Sequence, residues 1–278
     1  MRSKLFVPCS RPEFFAKAID GAADALSFDL EDSVPPAEKP AARARLAAFL
    51  RSDQAMASAK RLIVRVNALD TPFFADDLAA LAGLRVDLIN LPKADTPHIV
   101  RAAAAQIDAL RLAAGLLVTI ETVAALADAA AVAAAHPRVA GLQVGLNDLF
   151  APLGIDRADP RHVHAALWPI RLAAGRAGCF AYDGAWPDLT DDPGFRAEAE
   201  LARSLGYIGK SCIHPRQIAI ANAVFDRGAE LDRARRLVAA ATAAEAQGKG
   251  AFVFDGAMVD APAINAARAL LRRAGKAA

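Results

Sequence analysis

The amino-acid sequence predicts an α/β fold, a (β/α)8 TIM barrel followed by a C-terminal helical arm or lid. Short apolar segments alternate with alanine-rich helical segments along the 278 residues. The apolar segments lack strict alternation, which is typical of parallel strands covered on both faces. Several of them end in a charged or amide residue, and the βα-loops at the carboxyl ends of barrel strands build active sites. The pattern therefore indicates an enzyme.

Eight apolar segments are predicted strands, and alanine-rich stretches between them are predicted helices. The strands cover residues 4–7, 25–29, 62–66, 86–91, 116–120, 141–144, 179–182 and 206–213. The helices cover residues 40–51, 73–82, 99–112, 123–135, 164–177 and 192–204. Eight strands with intervening helices match a closed barrel better than an open doubly wound sheet.

Two further stretches exceed what a barrel requires. Residues 150–161, rich in Asp, Gly and Pro, are predicted to form a long βα-loop on the active face. After the last strand, residues 216–247 are predicted to be helical and Gly248-Lys249-Gly250 breaks the pattern. A final helix is predicted over residues 261–274, with Asp260 near its N-cap.

This pattern predicts two parts of the chain. Residues 1–215 are expected to form the TIM-barrel core. Residues 216–278 are expected to form C-terminal helices and a lid or arm that contributes to a neighbouring subunit, because the barrel is already complete before them.

Charge and cysteine content exclude several classes of function. Lys and Arg number 33 against 31 Asp and Glu, a net charge of +2, so no nucleic-acid or membrane partner is expected. No apolar run approaches the ~20 residues of a membrane helix, and the apolar stretch at the amino terminus is too short for a signal peptide. Three widely spaced cysteines fit neither a disulfide framework nor a CxxC metal site, so a cytoplasmic location is expected.

Two carboxylates form the strongest candidate for a metal site. Glu121 and Asp148 each close a predicted strand, the two strands are consecutive, and both ends lie on the same predicted face. Carboxylate oxygens without a neighbouring Cys or His cluster suit Mg²⁺, which usually takes one or two protein carboxylates. The alternative is that an acidic residue at a strand end caps the following helix. For the pair, the metal interpretation is favoured.

Two basic residues are candidates for binding an anionic substrate. Arg65 lies within an apolar strand, where an uncompensated guanidinium is costly to bury, so it requires a carboxylate partner. That partner is either the substrate, bound through the planar guanidinium, or Glu31 or Asp32 in a structural salt bridge. Lys93 is either a simple cation or a Schiff-base amine, and no local feature indicates the lowered pKa that an imine requires.

A third basic segment, Gly209-Lys210-Ser211, superficially matches the end of a phosphate-binding loop. Position 204, where the first glycine of that motif belongs, is Ser. The match therefore fails.

Taken in order along nearly the whole chain, nine segments resemble the citrate lyase β-subunit-like group of the HpcH/HpaI aldolase superfamily. Each segment alone is weak, but the ordered set is specific. The segments are residues 2–8 (RSKLFVP), 29–34 (DLEDSV), 38–43 (EKPAAR), 65–67 (RVN), 91–93 (LPK), 120–122 (IET), 145–149 (GLNDL), 209–218 (GKSCIHPRQI) and 255–262 (DGAMVDAP).

The resemblance implies a TIM-barrel, Mg²⁺-dependent carbon–carbon lyase acting on a 3-hydroxyacyl-CoA thioester such as malyl-, citramalyl- or citryl-CoA. By this resemblance Glu121 and Asp148 hold the metal, and Arg65 polarises the thioester or keto-acid oxygen. Asp32 supports the site. Asp260, on the C-terminal arm of an adjacent subunit in a homotrimer or other homo-oligomer, exchanges the proton at the acetyl carbon.

Three other residues complete the expected site. Lys93 and Asn67, in the matching LPK and RVN segments, are expected to bind substrate together with Arg65. Asn147 occupies a position that varies in the family, just before the aspartate ligand, and so bears on the fine choice of substrate.

Two alternatives stay open. One is an aldolase acting on free hydroxy-keto acids, which needs no CoA pocket. The other is a citryl-thioester lyase subunit that acts on an acyl-carrier protein within a complex. The retained arm with Asp260 favours a self-contained lyase over the free-acid aldolase, but it does not separate CoA from a carrier-protein thioester. The acyl group, the direction of reaction and the number of subunits are not specified by the sequence.

Overall fold

The computed structural model describes residues 1–246, 248 and 250–277, with side chains described as far as residue 272. Lys249 of the predicted glycine break and Gln247 of the predicted helix lie outside the described residues. The chain divides into two compact units, Met1–Phe225 and Asp226–Ala278.

Eight parallel strands form the sheet of the first unit, in the spatial order β7-β6-β5-β4-β3-β2-β1-β8. Their bounds are β1 (Ser3–Pro8), β2 (Ala25–Asp29), β3 (Arg61–Arg65), β4 (Leu88–Leu91), β5 (Gly115–Ile120), β6 (Val139–Val144), β7 (Phe180–Tyr182) and β8 (Lys210–Cys212). A parallel bridge between Asp183 and Lys210 joins the two ends of this order. The N–H of Ser211 donates to the Asp183 carbonyl at 3.1 Å across the same seam. The predicted (β/α)8 barrel is therefore confirmed.

Helices connect successive strands and cover the barrel. They are α1 (Phe15–Asp20), α2 (Lys39–Leu50), α3 (Asp53–Ala57), α4 (Phe74–Ala80), α5 (Pro97–Ala109), α6 (Val123–Ala127), α7 (Ala129–Ala133), α8 (Leu146–Phe150), α9 (Pro160–Ala177), α10 (Asp192–Ser204) and α11 (Pro215–Val224). Proline at the first helical position and a side-chain cap begin several of them, as where Thr96 caps α5 and Asp159 caps α9. The predicted helix over residues 123–135 is divided in two at Asp128.

Two layers of side chains hold the barrel together. Outward-facing strand residues pack against the helices in one large apolar core, which includes an aromatic cluster of Phe15, Phe28 and Phe49. A smaller apolar cluster that includes Ile63 and Tyr182 contains residues from five of the strands. Two positions further along three of these strands, Ser27, Asn90 and Thr119 are buried polar residues. The chemistry is therefore confined to the carboxyl end of the barrel.

The second unit contains α12 (Gly228–Glu245), a hairpin of β9 (Phe252–Phe254) and β10 (Ala257–Val259), and α13 (Ala261–Ala277). Asp255 and Gly256, at φ 49° and 78°, form its two-residue turn. Asp-Gly is favoured there because both positions require positive φ. Leu237 of α12, Val259 of β10 and Ile264 of α13 are buried in the unit's own apolar cluster.

The stretch predicted to be helical, residues 216–247, consists of two helices with a short break between them. Helix α11 ends before Phe225, which is buried, and α12 begins at Gly228, whose N–H donates to the Asp226 carboxylate at 3.0 Å. The side chain of Asp226 thus offers the backbone a turn in place of the helix. Among the helices that the structure describes, none combines the length and the apolar character needed to cross a membrane.

Candidate active site

Glu121 is the centre of the polar cluster at the carboxyl end of the barrel. It directly follows β5 and is buried, and its Oε1 accepts the backbone N–H of Lys93 at 2.7 Å. It does not cap the next helix, because the hydroxyl of Thr122 accepts the N–H of Ala125 at 3.1 Å and performs that role. The capping alternative therefore fails for Glu121.

Gly145 leaves the space that Glu121 occupies. A Cβ atom built on Gly145 would lie 2.5 Å from the Cβ and 2.8 Å from the Oε2 of Glu121. Because carbon atoms prefer separations of ~3.5–4.0 Å, any side chain here would displace the carboxylate. The sequence alone does not indicate this role for Gly145, because the role depends on how closely the ends of β5 and β6 approach each other.

Asp148 does not end a strand as predicted, but its negative charge acts on Glu121. It belongs to the first turn of α8, four residues beyond the end of β6, and is exposed. Burial raises the pKa of Glu121 to about 8, and the negative charges of Glu31 and Asp148 add to that rise against the hydrogen bond from Lys93. The site thus concentrates negative charge that a cation would relieve.

The residues present fit Mg²⁺. Glu121 and Asp148 supply hard carboxylate oxygens, and Gly145 leaves room beside the first of them. Within the described residues, no group of three or more His, Cys, Asp or Glu side chains converges as a metal site. Two carboxylates are enough, because Mg²⁺ usually retains several waters and binds substrate oxygens in the remaining positions.

Arg65 is held rigidly by three carboxylates. Its Nε and Nη2 donate to the two oxygens of Asp29, each at 2.7 Å. Its Nη1 lies 2.9 Å from Glu31 Oε2 and 3.4 Å from Asp32 Oδ2. Burial opposes the charge on Arg65, but Asp29 and Glu31 together raise its pKa above the ordinary value. The salt bridges to Glu31 and Asp32 are present, and the guanidinium is fixed in one orientation.

Asp29 is the main partner of Arg65 and was missed from the sequence. It ends β2 directly opposite Arg65 at the end of β3. The N–H groups of Glu31 and Ser33 also donate to its carboxylate, at 3.0 and 3.1 Å. The signal was available, because an acidic and a basic residue closing neighbouring parallel strands can pair directly.

Lys93 contributes a cation beside Glu31. Its Nζ lies 3.1 Å from Glu31 Oε1 and 4.0 Å from Asp32 Oδ1, and the side chain is half-exposed. Although partial burial acts in the opposite direction, the charge of Glu31 raises the pKa of Lys93. A Schiff-base lysine needs a lowered pKa, so the electrostatic role is favoured. At φ 50° the backbone is left-handed, a strained geometry that presents its N–H to Glu121.

Asn67 and Asp32 occupy different surroundings. The Asn67 side chain is buried, and its Nδ2 donates to the Leu30 carbonyl at 3.0 Å and to Asp77 Oδ2 at 2.6 Å. Its amide nitrogen therefore supports the loop that carries Glu31. Asp32 is exposed at the rim, within reach of Arg65 and Lys93.

Asp260 lies in the second unit. It is exposed at the start of α13, where its Oδ1 accepts the N–H of Ala263 at 3.4 Å. The predicted helix start is therefore confirmed.

The fold and the site define a class of protein, a TIM-barrel enzyme with buried and exposed carboxylates beside a fixed arginine. Within that class, the chain belongs to the HpcH/HpaI aldolase/citrate lyase family, whose model matches residues 2–215. The family resemblance predicted from the sequence is thereby confirmed.

Several relatives match nearly the whole chain. An L-malyl-CoA/beta-methylmalyl-CoA lyase of Rhodobacter capsulatus is 36% identical over 301 residues, covering 98% of this chain and 94% of the relative. A (3S)-malyl-CoA thioesterase of Cereibacter sphaeroides is 40% identical over 275 residues, with the same two coverages. Among solved structures, CitE from Mycobacterium tuberculosis in complex with magnesium, acetoacetate and coenzyme A superposes with a TM-score of 0.73 at 36% identity, covering 99% of this chain and 100% of that one.

Proposed function

We propose that this protein is a Mg²⁺-dependent carbon–carbon lyase that cleaves or forms a 3-hydroxyacyl-CoA thioester by a retro-Claisen reaction. The observation that carries the proposal is the meeting of Glu121 with the Arg65–Glu31–Lys93 cluster at the mouth of the barrel. The similarity to malyl-CoA lyases over 98% of the chain supports it.

The reaction breaks one carbon–carbon bond and moves two protons. The hydroxyl group of the substrate loses its proton, its oxygen becomes the keto group, and the adjacent carbon–carbon bond breaks. The electron pair of that bond passes to the thioester as an enolate, which takes a proton at carbon to give the shorter acyl-CoA. Negative charge therefore develops on oxygens during the reaction, and the site must stabilise it.

Glu121 and Asp148 would hold Mg²⁺, which when bound stabilises negative charge on substrate oxygens as a Lewis acid. Arg65 stabilises the oxyanion from a guanidinium that Asp29 has already oriented. Lys93 adds positive charge and binds the substrate carboxylate. Asn67 is the third member of the substrate-binding set, and its side-chain amide also supports the Leu30–Glu31 backbone. Asp32 supports the site at its rim.

The proton at carbon requires a further acid. We infer that Asp260 supplies it from the C-terminal unit of an adjacent subunit, in a homotrimer or other homo-oligomer. The Asp260 carboxylate is exposed at a helix start, which suits a group that completes the active site of a neighbouring subunit. Three free cysteines support a reducing, cytoplasmic setting for the enzyme.

The test is turnover by the purified chain. Malyl-, citramalyl- and β-methylmalyl-CoA are each supplied with Mg²⁺, and the released keto acid is measured. We expect release with at least one ester and loss of release on exhaustive chelation, restored by added Mg²⁺. Full activity after chelation would exclude the metal role, and turnover only with a carrier-protein thioester would favour the complex-bound alternative.

A thioesterase is the second candidate. The Cereibacter sphaeroides thioesterase aligns with this chain over 275 residues at 40% identity, whereas the lyases align over 301–303 residues at 36–37%. The two activities give different products from one ester. Hydrolysis releases free CoA thiol and the intact hydroxy acid, whereas the lyase releases a keto acid and keeps the thioester. Measuring thiol and keto acid in the same reaction separates them.

A further inference from the structure

We propose that Arg157 is a positioning residue for the cation site, because through Asn147 it fixes the short helix that carries Asp148. The inference rests on the proposed metal role of Asp148. It assigns a function to the 150–161 loop, which sequence features place on the active face without giving it a task.

Helix α8 cannot hold Asp148 in place by itself. It has five residues and begins at Gly145 without a side-chain cap, and so short a helix is unstable in isolation. Its apolar residues, such as Leu149, are buried, whereas Asn147 and Asp148 face outward. Within the part of the chain that the structure describes, the Asp148 carboxylate makes no hydrogen bond or ion pair. Its position therefore depends on the backbone of α8.

Arg157 supplies the missing fixation. Its Nη1 donates to the side-chain oxygen of Asn147, the residue before Asp148. Its Nε and Nη2 donate to the two oxygens of Glu198 at 3.1 and 2.6 Å, and Nη2 also donates to the Ala185 carbonyl at 2.6 Å. The Arg157 side chain is 13% exposed, so its bonds to Glu198 and Ala185 are partly shielded from water, whereas the bond to Asn147 lies at the surface. One guanidinium thus joins α8 to the loops that follow β6 and β7.

The far end of this arrangement is rigid. Glu198, on α10, also accepts Lys210 Nζ at 2.6 Å, and Lys210 donates to Asp183 Oδ2 at 2.7 Å. Lys210 and Asp183 are fully buried at the seam where the barrel closes. The positive charges of Arg157 and Lys210 balance the negative charges of Glu198 and Asp183. Buried charges require such pairing. The network runs from the barrel seam to Asn147, the neighbour of Asp148. It also gives Lys210 a structural role that involves no phosphate.

We call the hydrogen bond between Arg157 and the Asn147 side chain the clamp. It can be tested by changing Asn147, which leaves the buried charges undisturbed. Asn147→Leu removes the oxygen that Arg157 binds, yet it leaves Arg157 paired with Glu198. Asn147→Asp keeps that oxygen and adds negative charge near the cation. Arg161→Met is the matched control, because Arg161 follows in the same region with a side chain 86% exposed and paired only locally with Asp159.

The experiment measures Mg²⁺ binding to the full chain by isothermal titration calorimetry, with melting temperature recorded in parallel. We expect Asn147→Leu to raise the Kd for Mg²⁺ by about 10-fold or more, since groups that orient metal ligands typically contribute 10–100-fold. Asn147→Asp and Arg161→Met should bind Mg²⁺ at least as tightly as the parent protein. A lower melting temperature for Asn147→Leu with unchanged Kd would overturn the clamp and leave a merely structural role.

An Asp148→Asn variant separates this inference from the proposed function. If Asp148→Asn binds Mg²⁺ like the parent protein, the metal role of Asp148 fails, and the clamp fails with it. If Asp148→Asn weakens binding but Asn147→Leu does not, only the clamp is overturned. Adding Arg157→Met to Asn147→Leu should weaken Mg²⁺ binding no further than Arg157→Met alone, because both changes remove one interaction.

Discussion

Replacing Gly145 by Ala should damage the cation site through a steric contact alone. The backbone of Gly145, at φ −115°, is open to any residue, so no conformational strain is added. The new Cβ would lie 2.5 Å from the Cβ of Glu121, which belongs to the stiff root of that side chain. Since such carbons prefer ~3.5–4.0 Å, the two must separate by at least about 1 Å.

The size of the effect follows from that displacement. Misplacing a catalytic group by about 1 Å can cost about 10²-fold in rate, so kcat/KM should fall by about that factor. Mg²⁺ affinity should fall by at least about 10-fold. Overpacking typically costs about 1–3 kcal/mol, which a domain with an unfolding free energy of about 5–15 kcal/mol survives.

Gly175→Ala is the matched control. Its Cβ would meet only the Nη1 end of the flexible Arg171 side chain, at 3.1 Å. Within α9, Gly to Ala should increase stability by up to about 1 kcal/mol and leave Mg²⁺ affinity unchanged. Calorimetric Mg²⁺ titration and urea unfolding measure both quantities for each variant. Parental Mg²⁺ affinity in Gly145→Ala would refute the argument that Gly145 leaves room for the Glu121 carboxylate.

The other predictions concern charged residues. Arg65→Lys loses the bidentate geometry and should lower kcat by about 10²-fold or more, whereas parental turnover with a lower melting temperature would mean that the salt bridges are only structural. Burial, with a smaller contribution from Arg65, lowers the pKa of Lys4 in the barrel. Between that pKa and 10.5 the unfolded chain binds more protons, so stability rises with pH, and in urea unfolding Lys4→Met should flatten this rise in the free energy of unfolding. Mixing inactive Asp260→Asn and Glu121→Gln subunits should restore partial activity if sites are shared, and no recovery despite proven subunit exchange would mean that they are not.

Those features of the fold that depend on local pattern were predictable. All eight strands were placed by short apolar segments, and the start of the last helix by Asp260 near its N-cap. The division of the helical stretch 216–247 into two helices was not predictable, because its alanine-rich composition hides the break at Asp226, whose side chain accepts one hydrogen bond from Gly228. The hairpin was missed although Asp255-Gly256 marks it, since two three-residue strands give little periodicity to detect.

The candidate site likewise has features that the sequence predicts and features that it does not. Charged residues at strand ends identified Glu121, Arg65 and Lys93, because the topology brings all parallel strand ends to one face. The sequence made some of these pairings possible but could not select among them, because the choice depends on strand register and on side-chain reach. Asp29 faces Arg65 because β2 and β3 align those two residues. Arg157 reaches Asn147 from ten positions further along the chain, a separation at which no periodic rule operates.

This difference bears on how the protein would hold the proposed cation. Glu121 is fixed from inside the barrel, by a backbone N–H and by the space at Gly145. Asp148 is fixed from outside, by a helix of five residues that depends on Arg157. Groups carried by strands are held more precisely than groups carried by loops, so Asp148, the second proposed ligand, is the one whose position the loops can alter. Changes in the 150–161 loop should therefore alter Mg²⁺ affinity through Asp148 while leaving the surroundings of Glu121 intact.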